Sequence, residues 1–434
     1  MKSLGLTRYA PAIGMATALL AGCGGSQPPV GALEAMPESR AIAERASSTS
    51  YNVIYSFSGS PDAQSPVASL IDVNGTLYGT TYSGGDCKYG LYCGTVFSIT
   101  PSGTEKVLHT FGADTDGRNP AAGLIDVGGT FYGTTSGGGA NTSAPRCTGS
   151  DYFPCGTVFS ITPSGTENVV HSFGNGTDGL DPVASLIEVN GALYGTTKHG
   201  GAHNKCNGGC GTVFSVTPSG AENVLRSFDK VADGLGPAAP LIEVKGKLYG
   251  TTGGGGAYGA GTVFSITLSG KVKVLHSFGN GTDGADPSAG LIDVDGTLYG
   301  TTELGGAIMS GHFCNHADSC GTVFSITPSG TEKVLHRFTG GADGAAPVAS
   351  LISVKGTLYG TTQFGGTYSC DTGVKCGTIF SITPSGTEKV LHSFGSSTDG
   401  EHPAAALTDV HGTLYGTTAG GGAHQCGTVF AFKP

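Results

Sequence analysis

The tetrapeptide Tyr-Gly-Thr-Thr occurs seven times, its tyrosine at Tyr78, Tyr132, Tyr194, Tyr249, Tyr299, Tyr359 and Tyr415, and nothing else in the chain restricts the fold as strongly. Successive copies lie 54, 62, 55, 50, 60 and 56 residues apart. A second motif, Gly-Thr-Val-Phe or once Gly-Thr-Ile-Phe, follows each copy at Gly94, Gly156, Gly211, Gly261, Gly321, Gly377 and Gly427. The two motifs are separated by 12, 20, 13, 8, 18, 14 and 8 residues, and subtracting each interval from its spacing leaves 42 every time. All length variation therefore sits in one loop per repeat, the mark of a tandem-repeat architecture.

The constant part predicts four short strands, a to d, as in Leu70–Val73, Thr76–Thr81, Thr95–Thr100 and Lys106–Phe111. Between a and b stand Asn74-Gly75, Gly128-Gly129, Asn190-Gly191, Lys245-Gly246, Asp295-Gly296, Lys355-Gly356 and His411-Gly412, dipeptides suited to a two-residue hairpin with positive φ. Between c and d, Pro101-Ser102-Gly103 and its copies supply a proline for the turn and a glycine for the left-handed position. Each repeat thus reads as a four-stranded antiparallel meander. The seventh repeat stops at Val429-Phe430-Ala431-Phe432 without a d strand, while residues 51–57 match the d strand Lys389–Phe394 and have no a to c strands before them. An N-terminal strand that completes the last blade closes a ring and removes the edges an open stack would expose. The expected fold is all-β: one seven-bladed β-propeller over 51–434, ahead of an open β-solenoid or an array of β-sandwiches. A propeller divides its core among blade interfaces, so the length does not call for several domains.

Composition agrees with a packed β protein. The 77 glycines imply many turns, and although only 12% of residues are charged, Val, Ile, Leu, Tyr and Phe recur in ordered clusters. Residues 1–22 carry Lys2 and Arg8, no acid, and an apolar run from Ala10 to Ala21, which reads as a secretory signal. The run ends in Leu20-Ala21-Gly22-Cys23, similar to the bacterial lipobox, so Cys23 is the expected lipidated residue and 23–50 the lipidated N-terminus with a flexible tether. Acyl chains contribute about 0.8 kcal/mol per buried CH₂, enough for stable anchoring when several share one cysteine. The expected location is the bacterial cell envelope, at the outer membrane or cell surface, with membrane contact through the lipid only. A formal net charge of −10 opposes phosphate backbones, so no nucleic-acid partner is expected.

The succession Asp-Gly, Pro, Leu-Ile, Gly, Leu-Tyr-Gly-Thr-Thr, Gly-Gly and Gly-Thr-Val-Phe resembles the GloVer tandem repeat of bacterial choice-of-anchor surface proteins, from Tyr51 to Pro434. The resemblance implies shared repeats and an anchor that differs between members, here the lipobox; it implies no activity. A weaker likeness to kelch propellers rests on the glycine doublets, but their Trp-containing aromatic pair is absent and nothing is carried over.

Ten cysteines fall in pairs inside the variable b–c loops: Cys87 with Cys93, Cys147 with Cys155, Cys206 with Cys210, Cys314 with Cys320, and Cys370 with Cys376. Exported proteins keep disulfides, and loops that bury little gain from a staple. Zinc would need two more ligands for each pair, on five different blades, so no metal or other cofactor is expected. Cys426 has no partner in its loop and is expected to be free or partly buried. Histidines recur on strand d at His109, His171, His276, His336 and His392, with Tyr55 and Arg226 in the equivalent places, and are read as solvated or packed strand residues. The d–a turns each carry an acid, Asp62, Asp116, Asp178, Asp233, Asp283, Asp343 and Asp399, read as turn formers.

In a meander the b–c and d–a loops emerge on one face, and departures from the repeat there are the informative residues. These candidates are Tyr89 and Tyr92 in loop one, Arg146, Tyr152 and Phe153 in loop two, Lys198, His199 and His203 in loop three, Glu303, His312, Phe313 and His316 in loop five, and Tyr368 and Lys375 in loop six. Aromatics among hydrogen-bonding groups on rigid loops suit a glycan or protein ligand. The function expected is a non-enzymatic binding or adhesion module. A polysaccharide hydrolase or lyase is the alternative, but the loops offer only scattered acids such as Asp86, Asp151, Glu303, Asp318 and Asp371, and no nucleophile or phosphate-loop motif occurs. A purely structural envelope protein is the third reading.

Overall fold

A computed structural model describes residues 50–87, 93–112, 115–141, 155–203, 206, 208–306, 320–370, 374–396 and 398–434. The chain forms seven four-stranded antiparallel sheets arranged as the blades of a propeller. Blade 1 runs Ile71–Val73, Thr76–Thr81, Thr95–Ile99 and Glu105–Thr110, strands a to d in chain order. Blade 7 takes a, b and c from Thr408–Val410, Thr413–Thr418 and Thr428–Lys433, and its fourth strand is Ser50–Ser56 from the start of the domain. That strand pairs antiparallel with c from Ser50↔Lys433 to Ser56↔Thr428, so the ring closes through the N-terminal strand. The a–b hairpins turn as expected: Asn74 and Gly75 have φ of 54° and 80°, and all seven equivalent pairs are positive at both positions.

The blade-to-blade packing explains why Tyr-Gly-Thr-Thr repeats without change. A Cβ on Gly79 would lie 2.7 Å from Leu70 Cδ2 and 2.8 Å from the ring of Phe97, so strand b needs glycine where the strand-c phenylalanine lies across it. The first threonine points to the next blade: Thr80 Oγ1 donates to Ala122 O at 2.9 Å, and Thr417 Oγ1 donates to Ala68 O at 3.3 Å across the closure. The second stays within the blade, where Thr81 Oγ1 and Thr95 Oγ1 share a hydrogen bond of 2.8 Å and Thr95 N donates to Thr81 Oγ1. The bond to the next blade and the paired threonine hydroxyls recur in every blade.

The core lies between blades. Val96 and Phe111 of blade 1 cluster with Leu124, Phe131, Phe159 and Ile161 of blade 2, all buried. The phenylalanine that ends each d strand meets the strand-c phenylalanine of the next blade, as in Phe111–Phe159 at 4.9 Å, and Phe394–Phe430 and Phe57–Phe97 carry the series through the closure. Such edge-on pairs add roughly 0.5–1.5 kcal/mol beyond the area they bury.

Candidate functional site

The d–a and b–c loops share one face. In blade 1 they form a short ladder of Ala63–Gln64 with Ser83–Gly84, and the same ladder or a single bridge recurs in every blade. At the inner end of each ladder the residue just after Tyr-Gly-Thr-Thr donates its N–H to the carbonyl of the residue just before the repeat's proline. These rungs are Tyr82 with Ser65, Ser136 with Asn119, Lys198 with Asp181, Gly253 with Gly236, Glu303 with Asp286, Gln363 with Ala346, and Ala419 with His402. Fourteen residues thus form an inner ring beside the ends of the b strands, and they differ from blade to blade while the frame beneath them does not. All seven residues before the proline have positive φ, and six of them are not glycine. Left-handed backbone at such residues costs about 1–3 kcal/mol and persists where the surroundings over-determine it, here as in the a–b hairpins.

The charges of the inner ring gather on one side. Both positions of blade 4 are glycine, and a Cβ on Gly253 would lie 2.6 Å from Asp286 Oδ1. Lys198 of blade 3 therefore faces Asp286 and Glu303 of blade 5 across a notch and acts electrostatically on both. Burial, reinforced by Asp286, pushes the Glu303 carboxyl up to about 7, against the hydrogen bond it accepts from Ser288 Oγ at 3.3 Å. Burial lifts Asp181 to about 6 despite Lys198, and burial together with Lys198 lowers His199 to about 4. His199 Nε2 lies 3.8 Å from Asp181 Oδ2. Three carboxyls, a lysine and a neutral imidazole thus share a partly desolvated notch, able to hydrogen-bond in both directions.

An outer ring sits at the ends of the d strands. Here the histidines and the turn acids, read separately from the sequence, come together: each strand-d group contacts the acid seven residues on. His109–Asp116, His171–Asp178, His276–Asp283, His336–Asp343 and His392–Asp399 lie at 2.9–3.4 Å, Arg226–Asp233 at 2.6 Å and Tyr55–Asp62 at 3.1 Å. The acids also shape their turns, as where Gly112 N donates to Asp116 Oδ1 at 3.0 Å. A glutamate from the next blade faces several pairs. Burial pushes Glu167 up to about 7 beside His109 and Asp116, and does the same to Glu332 beside Asp283, with Arg337 opposing.

The family model for the Gloeobacter/Verrucomicrobia repeat matches residues 42–144, 148–314 and 311–434. The chain belongs to that repeat family. No curated protein matches its sequence. Solved structures of similar fold include a quinohemoprotein alcohol dehydrogenase from Pseudomonas putida HK5, at 10% identity over 88% of this chain and 76% of that one, TM-score 0.48. The periplasmic gluconolactonase of Pseudomonas aeruginosa matches at 13% identity over 89% and 96%, TM-score 0.43. A gluconolactonase from Xanthomonas campestris matches at 11% identity over 89% of each chain, TM-score 0.39. At these values no chemistry is carried over.

Of the residues named from sequence, this repeat-family structure brings Lys198, His199 and Glu303 together in and beside the inner ring. His203 lies further out, 3.8 Å from Asp229 Oδ2, and Lys375 Nζ donates to Thr367 O at 2.6 Å. Tyr368 is 46% exposed near His392. Tyr89, Tyr92, Arg146, Tyr152, Phe153, His312, Phe313 and His316 lie outside the described residues, as does Cys23. Asp181, Asp286 and His402 were not singled out from sequence, although the residue before the repeat's proline reads Ser, Asn, Asp, Gly, Asp, Ala and His from blade to blade.

Cys87–Cys93, Cys206–Cys210 and Cys370–Cys376 are disulfides, with Cα atoms 6.4, 5.1 and 5.5 Å apart. Cys155 and Cys320 are also disulfide-bonded, while Cys147 and Cys314 lie outside the described residues. Cys426 departs from expectation: it is fully buried and disulfide-bonded. These bonds fit an oxidising, extracytoplasmic compartment. No helix among the described residues is long and apolar enough to cross a membrane. Among those residues only Cys370, Glu401 and His402 bring ligand atoms within 4.8 Å of one another, and the Cys370 sulfur is committed to its disulfide.

Proposed function

We propose that this protein is a non-enzymatic recognition module, held at the cell envelope by lipid on Cys23, that binds a glycan or protein ligand at the inner ring. One observation carries the reading. On a frame whose buried groups repeat seven times, the two inner-ring positions of each blade are free to differ, and they place Lys198, Asp181, Asp286 and Glu303 around a glycine notch. Polar groups on a rigid ring, fixed by backbone hydrogen bonds, are what a binding site needs if it is not to lose affinity to ordering. A glycan array and a surface-protein pull-down, run with the full chain and with Lys198→Ala/Glu303→Gln, test this. Binding is expected to fall at least tenfold in the variant while the unfolding midpoint stays put; equal binding by both proteins overturns the assignment. Cys23→Ser is expected to release the protein from membranes, and retention rejects the anchor.

A second reading, hydrolysis or elimination on an extracellular polysaccharide, is favoured by Glu303, whose carboxyl at about 7 holds its proton near neutral pH beside Asp286. A proton donor beside a second carboxyl is the pairing such reactions use. Product release that Glu303→Gln abolishes would establish it. Absence of both binding and turnover would leave a structural envelope role.

A further inference from the structure

The outer ring contains a second kind of site, and it deepens the recognition reading, on which it rests. The sixth residue after Tyr-Gly-Thr-Thr stands over the turn that follows strand d. In blades 4 and 6 this residue is tyrosine, Tyr258 and Tyr368, exposed by 56% and 46%. The placement is equivalent in the two blades: a Cβ on Gly279 would lie 3.0 Å from Tyr258 Cβ, and one on Gly395 3.3 Å from Tyr368 Cβ. Beside each tyrosine is a His–Asp pair, His276–Asp283 at 3.0 Å and His392–Asp399 at 2.9 Å. The second oxygen of each aspartate accepts a backbone N–H, from Gly279 and Gly400. The imidazoles are therefore held in fixed orientations.

A cavity of about 440 Å³ opens at the blade 6 position, lined by Tyr368, His392, Ser393, Ser396 and Thr367. A cavity of about 470 Å³ opens at the equivalent place on blade 2, with Asn141 where blade 6 has Tyr368, above His171, Asp178 and Glu222. The two cavities occupy the same place in the repeat and differ in the sixth residue they present.

We propose that Tyr258 of blade 4 and Tyr368 of blade 6 mark a pair of carbohydrate subsites, each an exposed tyrosine platform beside a His–Asp pair. The flat ring face suits the C–H face of a pyranose, while hydroxyls, imidazole and carboxylate beside it suit its hydroxyl groups. The two tyrosines lie on one face with blade 5 between them, so an oligosaccharide-bearing surface could engage both and gain avidity.

The test is titration calorimetry of the full chain with the hexaoses of cellulose, maltose, mannose and chitin. For at least one of them two sites per chain are expected. Tyr258→Ala and Tyr368→Ala should each leave one site, the double variant should bind at least tenfold more weakly, and Tyr→Phe at both should keep binding. Both side chains are exposed, and an unchanged circular dichroism spectrum confirms that each variant folds. No binding to any hexaose, or a stoichiometry that the double variant does not alter, overturns the proposal. If Lys198→Ala/Glu303→Gln removes the binding while the tyrosine variants retain it, the subsites fall and the inner-ring reading stands; the converse result keeps the subsites and removes the inner ring.

Discussion

The inner and outer rings share one backbone frame yet tolerate change in opposite ways. In the outer ring, a departure from the pattern is accommodated by contacts across the blade junction. Where Arg226 takes the place of the histidine, Val272 stands where the next blade would offer a glutamate; where Tyr51 replaces that glutamate, its ring stacks on His392 at 3.9 Å, tilted by 6°. In the inner ring, lysine, glutamate, glutamine, serine, tyrosine, alanine and glycine follow one another with the same backbone hydrogen bond beneath them. A partly buried polar group answers to its neighbours because an unmet partner costs about 1–3 kcal/mol. The inner-ring side chains also find partners, as Ser136 Oγ does at Asn119 O and Glu303 at Ser288 Oγ, yet their residue type changes from blade to blade.

The comparison can be broken first at the frame both rings rest on. Phe159 is fully buried and packed against Phe111 and Gly133. Phe159→Ala is expected to cost about 4 kcal/mol in urea unfolding; a loss near zero would mean that the blade interface is not the core. Thr134→Val removes the bond to Ala184 O, 3.2 Å away in the next blade, and leaves a buried carbonyl without that donor. A loss of about 1–2 kcal/mol is expected in the same assay.

The smallest effect concerns the outer ring and depends on pH. Glu167 is lifted to about 7, chiefly by burial, and one of its oxygens is buried without a hydrogen-bond partner. A carboxyl whose folded pKa is raised binds its proton more tightly in the folded state, so its contribution is complete below the unfolded value and is lost as pH rises through about 7. Glu167→Gln should therefore stabilise the protein by about 1 kcal/mol at pH 8, discounted because the group is only half buried, and by nothing measurable at pH 4. Equal effects at both pH values would show that the glutamate acts by packing alone.

Much of this molecule is legible locally. The hairpin dipeptides, the alternation of Val-Phe and Leu-Tyr, and the orphan strand at Tyr51–Phe57 predict the strands, the turns and the closure, since each depends on residues close in sequence or on a count. Lys198, His199 and Glu303 could be found as departures from the repeat. Asp181 and Asp286 were harder to see, because their role depends on a residue in another loop and on the glycines of blade 4 between them. Cys426 was misjudged for a related reason: no cysteine stands near it in sequence.

The amino-acid sequence by itself therefore determined seven blades, a ring closed by its first strand, and a loop face where the repeat is broken. Only the tertiary structure decided that His109 meets Asp116 and faces Glu167, that the Gly236–Gly253 notch lets Lys198 act on Glu303, and that Tyr258 and Tyr368 stand over equivalent turns. Strand pairing within a blade is set by local period and turn chemistry. Contacts between blades depend on the rotation that closing the ring imposes, and no spacing along the chain contains it.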